Sequence, residues 1–112
     1  MAAFRPAEHI RRRSDFKRVY DQGLRIRGRY STVFLLPTSL AFARLGIAAT
    51  KKLGGAVVRN SAKRLIREVF RRNTIVQGLD IVVVPKRELL DASLTAVETD
   101  YCRSLASASK RR

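Results

Sequence analysis

At 112 residues the chain has room for one core, built from a single sheet and the helices that cover it, so a second domain is not expected. Its 24 Lys and Arg against 9 Asp and Glu leave a formal charge of +15, which points to a polyanionic partner, and a 46% hydrophobic share suffices for a folded interior. No stretch approaches the roughly 20 apolar residues of a spanning helix and no apolar signal core opens the chain, which excludes membrane insertion and predicts a soluble, cytoplasmic protein. Cys102 and His9 are each the only residue of their type, so no disulfide, zinc site or catalytic constellation is expected; Cys102 is read as a packing residue.

Residues 1–13 read as a loosely held basic arm ending in Arg11, Arg12 and Arg13, a cluster of the kind that meets phosphates. Ser14 offers an N-cap and Asp15 suits a first helical turn. Phe16, Val19 and Tyr20 then recur at i, i+3 and i+4 until Gly23 ends a short helix. Periodicity alone favours core positions for Phe16 and Tyr20, whereas exposure beside a basic groove would make them platforms for nucleobases. Residues 24–29 read as a basic connection. The run YSTVFLL at 30–36 is a strand stopped by Pro37, with Tyr30, Thr32, Phe34 and Leu36 on one face and Ser31, Val33 and Leu35 on the other. Both faces are apolar enough for a sheet covered on one side by helices and used on the other. After a turn at 37–41, residues 42–50 (FARLGIAAT) return as a second strand whose Gly46, Ala48 and Ala49 permit close packing above it.

The stretch KKLGGAVVRNSAKRLIREVFRR at 51–72 combines a Gly turn with a two-faced helix. Gly54 and Gly55 allow the chain to turn out of the strand. At about 100° per residue, Arg59, Asn60, Lys63, Arg64, Arg67 and Arg71 share one side, opposite Val58, Ala62, Leu65, Ile66, Val69 and Phe70. A solvated surface helix normally interleaves acids to relieve repulsion, yet Glu68 is the only acid between Lys51 and Arg72. Such a face, with the positive end of the helix dipole added to it, suits phosphate.

Residues 73–78 form a polar exit, and DIVVV at 80–84 reads as a buried strand inside the sheet. Thr95 with Glu98 has the capping-box spacing, and Leu94, Val97, Tyr101 and Leu105 continue as the apolar stripe of a C-terminal helix. Residues 108–112 form a basic tail carrying Lys110, Arg111 and Arg112. The whole chain, 1–112, is thus expected to be a single α+β RNA-binding domain.

The stretch KKLGGAVVRNSAKRLIREVF, together with RRRSDFKRVYDQG, resembles the protein subunit family of bacterial ribonuclease P over nearly the whole length. The resemblance implies a two-layer α/β sandwich of the ribosomal protein S5 domain 2 type, with a mostly antiparallel sheet of about four strands and a left-handed crossover at the arginine-rich helix. It also implies a subunit that binds the catalytic RNA and the single-stranded 5′ leader of precursor tRNA. Leader cleavage would be performed by the RNA subunit, with magnesium held by RNA; the protein would bind no cofactor and need no protein partner. By resemblance Phe16, Tyr20, Phe34 and Lys51 would line the leader cleft, and Lys52, Arg59, Asn60, Lys63, Arg64 and Arg67 would meet RNA. The chain departs from the family pattern at Ser61, where Arg is usual, and at Gly55, where Asn is usual. A structural protein of the ribosome would show the same charge and a similar fold; a DNA reader with the arginine helix in a major groove is a third class, against which the predicted strands and the lack of a second helix beside the recognition helix count.

Overall fold

The computed structural model describes residues 8–75 and 77–110, so the start of the expected arm and the end of the tail lie outside the described residues. Leu79–Pro85 (β4) sits where a nearly all-apolar strand must, inside the sheet. On one side it pairs antiparallel with Ser31–Pro37 (β2), Phe34 opposite Val82; on the other it pairs parallel with Ala43–Ile47 (β3), Gly46 opposite Val82. Leu24–Arg27 (β1) joins the free side of β2 antiparallel, giving the order β1-β2-β4-β3. The sheet is therefore mixed. Its parallel pair follows from the 17-residue helix Ala56–Arg72 (α2) between β3 and β4, since parallel neighbours require a crossover and cannot be joined by a tight turn.

β1 corrects the expectation of a plain connection at 24–29. Only Ile26 of its four residues is buried, too little alternation to separate a strand from a loop; pairing with β2 decides it. β3 is shorter than expected and stops at Ile47.

Period-2 alternation sends Val33, Leu35, Leu45, Ile81 and Val83 to one face, where Ala62, Ile66, Val69 and Phe70 of α2 and Val97 and Tyr101 of Leu94–Lys110 (α3) complete the main core. The opposite face carries Phe34, Leu36, Val82 and Val84 and is crossed by Arg13–Gln22 (α1) through Phe16 and Val19. Residues 8–10 are held rather than loose: Ile10 N–H donates to the Leu45 carbonyl at 2.9 Å, and its side chain is buried beside Val19 and Val82. This anchoring sets the start of α1. The N-cap is Arg12, whose carbonyl accepts from Phe16 N–H at 3.2 Å, and Ser14 lies inside the helix.

The cap of α3 is likewise displaced. Ser93 Oγ accepts from Ala96 N–H at 3.1 Å, while Glu98, expected in a capping box with Thr95, accepts from Asn73 Nδ2 at 2.8 Å and pairs with Arg72 at 3.4 Å. Buried Asp100 accepts the Arg29 and Tyr30 N–H groups, each at 3.0 Å, which ties α3 to the β1–β2 turn. α3 runs through Lys110 with Ala108 buried, so the first residues of the expected tail are helical. Among the described residues no helix is long and apolar enough to cross a membrane.

Candidate nucleic-acid interface

α1 crosses the open face of the sheet and divides it. On one side of the helix three rings come together: Tyr20 meets Phe34 edge-on at 4.9 Å between centroids, and Phe16 lies 6.4 Å from Tyr20. The two α1 aromatics do not have equal roles. Phe16 is half-buried among Ile10, Val19 and Val82, directly above Gly46, where a Cβ would lie 2.8 Å from its Cζ. Tyr20 is 39% exposed, and partial burial raises its phenol pKa, so it stays a neutral ring with a hydroxyl donor. Phe34 is half-buried between them and the sheet. The close packing expected over the small residues of β3 is thus realised at Gly46, by Phe16.

Lys51 and Lys52 are exposed on the turn that follows β3. That turn needs its glycine, for Gly54 has φ +151° and a Cβ there would meet Val58 at 2.9 Å. Gly55 is the N-cap of α2 without a side-chain cap, and a Cβ there meets nothing within 4 Å, so this departure removes a cap and no packing. Along α2 the apolar side faces the core as the periodicity predicts, with Ala62, Ile66, Val69 and Phe70 buried and Val58 and Leu65 partly buried. The basic side is less uniform: Arg59 donates to the Gly54 carbonyl at 2.9 Å, and Arg71 is paired with Glu68. No hydrogen bond or ion pair within the described residues engages the side chains of Asn60, Lys63, Arg64 or Arg67. Ser61 is exposed, so that departure lowers the charge of the face and leaves the core intact. Replacing Arg64 or Arg67 by Ala is expected to weaken RNA association with a salt slope shallower by about one ion each; titration across salt concentrations checks it, and an unchanged slope in both variants would place these residues away from RNA.

Aromatic and basic parts meet at the β3 edge. A cavity of about 260 Å³ there is lined by Phe16 and Gly46 on the sheet side, Lys63 and Arg67 from α2, and His9 and Arg11 from the N-terminal segment. His9, which composition alone left without a role, has its pKa lowered by burial first and then by Arg11 and Arg67. A base whose folded pKa lies below its unfolded value takes up a proton more readily when unfolded, so stability contributed by neutral His9 is present above the ordinary pKa of about 6.5 and declines as pH falls below it. Melts between pH 5 and 8 should show this decline, and it should be smaller in His9→Gln.

On the other side of α1 lies a network that sequence reasoning missed. Asp80 is fully buried and accepts Arg44 Nε at 2.8 Å and Arg44 Nη2 at 2.6 Å, with Arg18 Nη2 at 3.4 Å. Asp15 completes it, 3.1 Å from Arg18 and 3.9 Å from Arg44. The hydrogen bond to Asp80 raises the Arg44 pKa above its ordinary value. A signal existed in the sequence, since an Asp heading a buried apolar strand must have a partner; which arginine supplies it is decided by β3–β4 register, Arg44 opposite Asp80.

A family model described as Ribonuclease P matches residues 4–109. The ribonuclease P protein component of Thermotoga maritima is 39% identical over 89 residues, covering 78% of this chain and 76% of that one. That of Clostridioides difficile is 32% identical over 98 residues, 85% of this chain and 86% of the other. Among solved structures, the Staphylococcus aureus RNase P protein superposes with a TM-score of 0.80 at 31% identity, covering 90% of this chain and 94% of that one. Charge, a mixed sheet carrying an arginine-rich crossover helix, and these likenesses agree that the chain belongs to the ribonuclease P protein family, as the protein component of a ribonucleoprotein endoribonuclease of tRNA 5′ maturation whose catalysis is the work of its RNA.

Proposed function

We propose that this chain holds the single-stranded 5′ leader of precursor tRNA on the ring cluster of its open sheet face, and holds the catalytic RNA subunit through α2. The observation that carries this reading is the pairing of Tyr20 with Phe34: two rings in edge contact, one of them well exposed, on a sheet face that α1 only partly covers. Stacking on such rings is tolerant of base identity, and the lysines and arginines around them neutralise phosphates, so leader sequence preference is expected to be weak. Lys51 and Lys52 supply charge where β3 leaves the sheet, and Lys63 and Arg67 supply it where the Phe16 cavity opens toward α2.

Binding energy from the leader is available to precursor and not to mature tRNA, which favours substrate over product without a catalytic side chain from this protein. The magnesium ions of the reaction are held by RNA, and the complex works in the cytoplasm. Among the described residues no cluster of His, Cys, Asp and Glu is arranged to hold a metal ion. The test is to add the protein to a ribonuclease P RNA and follow cleavage of leader-bearing tRNA at low magnesium. Stimulation is expected. A preparation that binds ribosomal RNA as well as precursor tRNA and does not stimulate cleavage would favour a structural ribosomal role instead.

A further inference from the structure

The ring cluster occupies one side of α1; the other side opens into a larger groove of about 770 Å³, between α1 and the turn joining β2 to β3. We propose that this groove is a second phosphate site, and that it grips the backbone of the folded RNA subunit rather than the single-stranded leader. The inference rests on the reading that this chain binds that RNA through α2.

Three features carry it. The groove has a preorganised floor: Arg44 and Arg18 are held by Asp80 and Asp15, so these guanidinium groups lose little freedom when a phosphate arrives. Arg18 meets both carboxylates through Nη2, so its remaining donors are not spent on them. Within that floor two arginines and two carboxylates cancel, and Arg11 and Arg12, which make no ion pair among the described residues, leave the groove with uncompensated positive charge.

The second feature is what the groove lacks. No Phe, Tyr or Trp lines it, in contrast to the ring side of α1, so it offers phosphate recognition without a stacking platform for unpaired bases. Third, it is continuous with the α2 face. His9 and Arg11 line both this groove and the cavity that contains Lys63 and Arg67. A basic track therefore runs from α2 over residues 9–11 to Arg18 and Arg44, and an RNA helix seated on α2 would meet the groove with its backbone.

Arg12→Gln combined with Ser39→Glu tests this, because both residues are exposed in the groove and neither makes a side-chain hydrogen bond or ion pair among the described residues. Affinity for ribonuclease P RNA alone should fall, and between 50 and 200 mM salt the variant should lose less affinity than wild type by roughly threefold for each phosphate contact removed. The melting temperature and the ratio of precursor to mature tRNA affinity in the assembled complex should stay as in wild type. Unchanged affinity and salt slope for the RNA subunit would overturn the proposal, as would a loss seen only with leader-bearing tRNA. Arg64→Ala and Arg67→Ala, measured beside it, separate the two levels: normal losses there with an unaffected groove variant overturn the groove alone, whereas no loss in any of them removes the reading of α2 and the groove with it.

Discussion

Tyr20→Ala is expected to weaken binding of leader-bearing precursor by about 1 to 3 kcal/mol, the worth of one base stacked on an aromatic side chain, or about 5- to 150-fold in Kd. Mature tRNA, with no leader to stack, should bind as before. The opposing possibility was a core role, in which truncation costs folding stability and weakens every ligand together. Geometry argues for the platform: Tyr20 is 39% exposed and contributes nothing to the main core, and its ring contact with Phe34 contributes about 0.5 to 1.5 kcal/mol to folding at most. Phe16 differs, since it is packed on Ile10, Val19 and Val82; Phe16→Ala should lower stability by about 3 kcal/mol. Thermal melts of both variants beside affinities for precursor and mature tRNA decide it. A large drop in the Tyr20→Ala melting temperature with equal losses for both RNAs would sink the stacking assignment.

Asp80→Ala is the largest destabilisation expected from a single polar side chain. The carboxylate is fully buried and takes both Nε and Nη2 of Arg44, so its removal strands a guanidinium that is only 17% exposed. Removing one partner of a buried pair costs about 3 to 5 kcal/mol, and the residual reach of Arg44 to water and to Asp15 places this case near 3. For a domain of this size that lowers the melting temperature by roughly 10 °C or more. Because stranding is the cause, adding Arg44→Met to Asp80→Ala should restore much of the loss. If the single and double variants melt together, the pair is not what holds this end of the sheet. Leader selectivity should also drop in Asp80→Ala, since Asp80 anchors α1 through Arg18 and α1 carries Tyr20.

Much of the candidate interface was legible in the chain itself. The sidedness of α2 is a local property: residues 3 and 4 apart share a face whatever surrounds the helix, so Ala62, Ile66, Val69 and Phe70 could be assigned to the core and Asn60, Lys63, Arg64 and Arg67 to the opposite face before any fold was known. The central place of β4, the stripe of α3 and the glycine turn at Gly54 follow from equally local rules. Other features depend on residues far apart in sequence, and no periodicity encodes them. β1 is a strand because β2 pairs with it. The caps at Arg12 and Ser93 are displaced because anchoring of Ile10 on β3 and of Asp100 on the β1–β2 turn sets where α1 and α3 can begin. Arg44 and Arg18 reach Asp80 across 36 and 62 residues; β3–β4 register singles out the first, and the packing of α1 on the sheet the second. The sequence by itself determined that α2 has a core-facing apolar side and an opposite side rich in arginine and lysine. Only the tertiary structure decided that α1, crossing the open sheet face, puts rings on one side and a floor of paired arginines on the other, because the direction in which a helix crosses a sheet is set by what packs beneath it.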